Sequence, residues 1–137
     1  MTLTNQRVLI NGLGSRSNSI KFMLLMTDGL ANHYTDSSGV THSDTNCSGN
    51  GICAQNAAIE MAQQAADLGI NIVTVSMGSA GDPNSFQYAG IQQLMDDIAD
   101  IGHGQHYTAD GTKPEIEEAL KDAFGYISRY GSAVIIE

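Results

Sequence analysis

Tryptophan is absent from this 137-residue sequence, aromatic residues make up only 6% of it, and six basic residues stand against fifteen acidic ones. The resulting formal charge of −9 argues against nucleic acid or an anionic membrane as the main partner, because both are polyanions. No apolar run approaches the roughly 18 residues a membrane span requires, and no basic segment followed by an apolar one opens the chain. The sequence therefore reads as carrying neither a span nor a signal peptide. Cysteine occurs twice, at Cys47 and Cys53; with His33 and His42 nearest, the spacing fits no zinc pattern. What is present is ordinary for a globular chain: 42% apolar residues and the length of one domain with a usable core. The surplus carboxylates are read first as solvated helix faces, with cation binding as the alternative.

The most informative stretch is Lys21 to Gly29, Lys-Phe-Met-Leu-Leu-Met-Thr-Asp-Gly. Five apolar residues, Phe22 to Met26, run into a Thr27-Asp28-Gly29 turn, the pattern of a strand buried on both faces of a parallel sheet. Ligands of open parallel sheets gather beyond the carboxyl ends of the strands, which makes Asp28 the first functional candidate.

Around it the chain divides readily. Residues 1–9 carry a weak helical signal, and Asn11 to Ser19 is a Gly, Ser and Asn cluster that reads as loop. Its Gly12-Leu13-Gly14 is no phosphate loop, since no Lys-Ser/Thr follows and a strand comes next. Residues 30–50 form a polar, turn-rich insertion. Apolar residues from Ile52 to Leu68 recur at helical spacing and stop at Gly69, a natural helix-ending glycine. Ile70 to Gly78 is a β-branched second strand. A helix is expected from about Ser85 to Ile101, a short third strand over Gln105 to Thr108, and a helix opening at Thr112-Lys113-Pro114-Glu115 with Ile116, Leu120, Ala123, Phe124 and Ile127 on its core face. Residues 130–137 suggest a last strand or a linker. Strand and helix alternate, so the expected fold class is α/β, a doubly wound, mostly parallel sheet with helices on both faces, over one domain with its core at 15–128.

Lys21 to Gly29, Ala65 to Gly78, and Ile98 through His106-Tyr107 to Ile127 together resemble the von Willebrand factor type A domain. The first stretch looks like that fold's fourth strand with its Thr-Asp-Gly metal motif, the second like the following helix and fifth strand, and the third like the typical ending. The resemblance implies a Mg²⁺ site at the carboxyl edge of the sheet, built from an Asp-x-Ser-x-Ser loop, a Thr, and the Asp of Thr-Asp-Gly. Only the last, Asp28 with Thr27 and Gly29, is matched; no Asp-x-Ser-x-Ser occurs, and Thr4 stands too close to the strand to be a good second element. A single carboxylate with water binds a hard cation weakly. By the same resemblance the chain begins immediately before strand 4 and is expected to be the C-terminal half of a longer domain. Its partner would include the missing N-terminal half, which would pair with the Phe22 to Met26 edge; capping of that edge by 7–10 or 133–136 is the alternative.

Smaller signals remain. Cys47 and Cys53 flank a short loop with two glycines and are expected to form a disulfide, which implies an extracytoplasmic location; free buried thiols are the alternative. Asp44, Asn46 and Ser48, followed by Gly49, imitate the opening of a Ca²⁺ loop, but the twelfth position is Gln55 rather than Glu, and an ordinary Asx-rich turn explains them equally. Asp36 could add a ligand there. His103 and His106 are read as packing residues, and Met23, Met26, Met61, Met77 and Met95 as core filler.

The resemblance implies a non-enzymatic adhesion or protein-interaction module, similar to the bacterial pilus-assembly and surface-protein branch, in which a metal near Asp28 accepts a carboxylate from a protein partner. One alternative is a Mg²⁺-dependent phosphotransfer enzyme using Asp28, with Asp82 as second carboxylate. The other is a metal-free structural fragment.

Overall fold

Three parallel strands carry the fold: β1 (Lys21–Thr27), β4 (Ile70–Ser76) and β5 (His106–Thr108), in the spatial order β1-β4-β5. The computed structural model describes residues 19–30, 33–36, 38–43 and 52–131. Between β1 and β4 the chain forms a small antiparallel hairpin, β2 (His33–Thr35) and β3 (Thr41–Ser43), and then helix α1 (Ile52–Asp67). A 3-10 turn at Gly78–Ala80 and helix α2 (Tyr88–Ile101) join β4 to β5, and α3 (Lys113–Gly131) follows. The chain is therefore α/β, with three helices around a three-stranded parallel sheet.

β4 is the interior strand because its sequence satisfies both faces. Ile70 and Ile72 point to one side, where they meet Ala62 and Ala65 of α1 and Ile98 of α2. Val73 and Val75 point to the other, against Ala119 and Ala123 of α3. The alanines leave no side chain to hold a helix off the sheet, so the backbones lie close. Both crossovers advance across the sheet in one direction, and right-handed connections of that kind put α1 and α2 on the same face. α3 returns over the opposite face, where Tyr126 meets Phe22 of β1 edge to face, with ring centroids 6.5 Å apart.

Gly69 ends α1 as expected: its φ of 72° lies in the left-handed region, and its N–H bonds to Ala66 O at 2.8 Å, which reverses the chain into β4 without the steric cost a side chain would add.

Several expectations need correction. β1 packs against helices on both faces but is only partly buried. Among the described residues it has a neighbour only in β4, Met23 is its one buried residue, and Met26 is 42% exposed. Met26 is thus not core filler; an edge strand lacks the second neighbour that would cover it. Phe124, expected on the core face of α3, is 56% exposed, because Ala119, Ala123 and Tyr126 take the positions against the sheet. The insertion is not all loop, since it holds the β2–β3 hairpin. α2 starts at Tyr88, three residues later than its periodicity suggests, because Ser85 to Gln87 are taken up by turns. The segments 7–10 and 133–136 lie outside the described residues. No described helix is long and apolar enough to cross a membrane.

Candidate functional site

The three parallel strands end side by side, so the turns that follow them share one edge. Met77 N donates to Thr27 O at 2.9 Å and Ala109 N to Ser76 O at 2.9 Å, carrying the sheet ladder one step past each strand. In the Thr27-Asp28-Gly29 turn the Thr27 hydroxyl donates to Gly29 O at 2.6 Å and accepts from Gly29 N at 3.3 Å. Ser79, in the turn after β4, donates from Oγ to Asp28 O at 2.9 Å. Asp28 is therefore held by its backbone from two sides, while its carboxylate makes no hydrogen bond or ion pair among the described residues.

Asp28 lines a cavity of about 610 Å³ between β1, α1 and α2. Leu25, Met26, Leu30, Ala58, Ile91 and Leu94 supply most of its wall, and among the described residues Asp28 is the one charged residue lining it. Next to it, beyond β4 and β5, lies an open depression of about 660 Å³ holding Ser79, Asp82, Asn84, Asp110 and Thr112. The turns meet closely here: a Cβ placed on Gly81 would stand 1.6 Å from Ala109 O, so only glycine allows the two loops to touch.

Asp82 and Asp110 each brace their own turn through one carboxylate oxygen. Asp82 accepts from Asn84 N at 2.8 Å and from the Asn84 side-chain amide at 3.0 Å. Asp110 accepts from Thr112 N at 3.0 Å. A hard cation wants about six oxygen ligands; beside Asp28 the described residues offer the Thr27 and Ser79 hydroxyls, each donating to a backbone carbonyl. Among the described residues no group of three His, Cys, Asp or Glu could hold a metal ion. Thr4 and the suggested Ca²⁺ ligands Asp44, Asn46 and Ser48 lie outside the described residues. Asp36 is engaged in the hairpin, accepting from Ser38 N and Val40 N at 2.9 and 3.0 Å and meeting His42 Nε2 at 2.8 Å. His42 and those amides hold its carboxyl below the ordinary carboxylate range. Cys53 is disulfide-bonded; Cys47, the other cysteine of the chain, lies outside the described residues.

Behind the edge is a polar network that sequence reasoning did not assemble. Thr74 and Ser76, both fully buried, face α2 from β4. Thr74 Oγ1 lies 2.8 Å from His106 Nδ1 and 3.0 Å from Met95 O. His106 Nε2 is 2.8 Å from Gln92 Oε1, and Gln92 Nε2 donates to both Ser76 Oγ and Ala80 O at 2.8 Å. Thr108 Oγ1 adds a bond to Gln92 Oε1 at 2.6 Å. Burial pushes the His106 imidazole below its ordinary value, against a smaller upward pull from the Asp96 carboxylate on α2. The signal for this network was present in β4, where two hydroxyls share one face of an otherwise aliphatic buried strand and so demand polar partners.

Comparison with models of protein families, with curated proteins and with solved structures finds no match for this chain.

Proposed function

We propose that the chain is a non-enzymatic protein-interaction module of the von Willebrand factor type A kind, binding its partner with the carboxyl edge of a doubly wound sheet centred on Asp28. The observation that carries this reading is the Asp28 carboxylate itself, fixed through its backbone, unpaired among the described residues and set at the rim of an apolar cavity. A fixed, unsatisfied charge beside apolar surface is what a partner side chain can complete.

The reading involves no ion. A carboxylate-bearing partner would need a bridging cation, whose ligands the described residues do not supply; Asp28 alone favours a basic group flanked by apolar ones. The disulfide at Cys53 supports an oxidising, extracytoplasmic setting.

The test is selection of a displayed random peptide library on the immobilised wild-type chain and on Asp28→Ala, each with Mg²⁺ and with EDTA. Expected is enrichment of peptides with Lys or Arg beside apolar residues on the wild type, at least tenfold weaker binding of those peptides to Asp28→Ala, and no effect of EDTA. Equal binding to both proteins would remove Asp28 from the site. Acidic peptides retained only with Mg²⁺ would restore the metal-dependent scheme.

A further inference from the structure

Phe86 stands almost entirely in solvent: it is 94% exposed, against 56% for Phe124, the next most exposed large apolar residue described. The turns around it hold it there. Ser85 N donates to Asp82 O at 2.9 Å, Tyr88 N to Ser85 O at 3.1 Å, and Gln87 N to Ser85 Oγ at 3.4 Å. Asp82 braces the start of the same segment by accepting from Asn84 N at 2.8 Å, and at its base Gly81 lies so close to Ala109 O that no side chain fits between them. A backbone tied at this many points keeps a large apolar ring in water, at a cost that association can offset.

The segment follows the interior strand β4, at the carboxyl edge of the sheet. Strands pair side by side, so a larger doubly wound sheet leaves the end of an interior strand where it is. The residues after Phe86 open onto two acidic hollows. Gln87 lines the cavity that also holds Asp28. Tyr88 lines a depression of about 450 Å³ together with Asp110, Glu118 and Asp122.

Taking the Asp28 edge as the partner-binding side, as above, we propose that Phe86 is the anchor of that contact and that its partner is a protein with an apolar recess for the phenyl ring and Lys or Arg on the rim. Aromatic side chains that fill a desolvated pocket dominate many protein interfaces, and complementary charge around them sets partner and orientation. Charge decides against a lipid surface: the hollows beside the ring are acidic and the whole chain carries −9, so an anionic bilayer repels this edge. It decides equally against a second copy, which would bring the same carboxylates face to face.

The test is selection of a displayed library of small three-helix domains, built without tryptophan and with randomised surfaces, on the immobilised wild-type chain. Such domains can form a recess where a short peptide cannot. Expected are binders with Lys or Arg around an apolar surface, bound at least tenfold more weakly by Phe86→Ala and about as well by Phe86→Trp. The sequence has no tryptophan, so the emission of Phe86→Trp reports on this position alone and should shift to the blue when such a binder is added. The thermal unfolding midpoint of Phe86→Ala should match the wild type, because so exposed a side chain contributes little packing. Binders indifferent to Phe86→Ala overturn the proposal, and so does emission that keeps its solvent wavelength. Phe86-dependent binding to vesicles of phosphatidylcholine, with or without phosphatidylglycerol, would make a membrane the occupant; Phe86-dependent self-association in sedimentation velocity would make it a second copy. Either result overturns the proposal as well. Asp28→Ala keeps the two readings apart: binding weakened by Asp28→Ala but not by Phe86→Ala leaves the Asp28 site without this anchor, and the reverse leaves the anchor without Asp28 at its centre.

Discussion

Gln92 turns its side-chain oxygen toward His106 Nε2. Its side-chain nitrogen donates to Ala80 O at 2.8 Å, a carbonyl that can only accept, so Oε1 must be the atom 2.8 Å from His106 Nε2. In the neutral ring Nε2 is then a donor, while the Thr74 hydroxyl, 2.8 Å from Nδ1, gives its one proton to Met95 O at 3.0 Å. The same glutamine thereby ties β4, β5 and the turn that supports Asp28 to helix α2.

Replacing Gln92 by Ala should destabilise the chain by about 1–3 kcal/mol, the cost of stranding buried polar groups. Ser76 Oγ, Ala80 O and His106 Nε2 would all lose their partner. Urea denaturation at neutral pH reads the change. A loss under about 0.5 kcal/mol would mean that water or Thr108 takes over Gln92's role.

His106 gives stability a pH dependence with a defined sign. Burial lowers its folded-state value below the ordinary 6.5, outweighing Asp96, the one charged group that raises it. The unfolded chain therefore takes up the proton first as pH falls. The stabilisation is complete above about 6.5 and is lost progressively as pH drops toward the lower folded-state value. Unfolding midpoints measured from about pH 5 to 7.5 should fall on the acid side. In His106→Gln that component should vanish; an unchanged slope would show that His106 does not titrate in this range.

Gly81→Ala should weaken the fold by about 1–3 kcal/mol through overpacking, since the added Cβ would meet Ala109 O at 1.6 Å. Gly90→Ala, where a Cβ meets nothing within 4 Å, is the matched control and should be neutral or slightly stabilising in its helix. Thermal unfolding of the two variants separates the close approach from the entropy of losing a glycine.

How far the sequence speaks can be seen residue by residue. β4 and α3 were legible because their signals are local: a β-branched apolar run after Gly69, and Pro114-Glu115 at a helix start. Asp28 was legible as a residue beyond a strand end for the same reason. What holds Asp28 was not, because Ser79 lies far along the chain and reaches it only once β1 and β4 pair. The His106 network was hidden likewise, since Thr74, Ser76, Gln92 and Thr108 come together only in three dimensions. The hairpin escaped because each strand has three residues and its order comes from Asp36 and from the stacking of Tyr34 on His42, 5.1 Å between ring centroids. Phe124 was misplaced because helical periodicity reports a stripe but not which of two neighbouring positions small alanines will claim.

The hairpin of β2 and β3 forms its own two-stranded ladder and takes no part in the parallel sheet. Its tip, where Gly39 adopts a φ of 83° with open space around it, can accept or lose residues at little cost to the rest of the molecule. Evolution, or a protein engineer seeking a place for a label or a grafted epitope, can rewrite this excursion while β1, β4 and β5 keep their register.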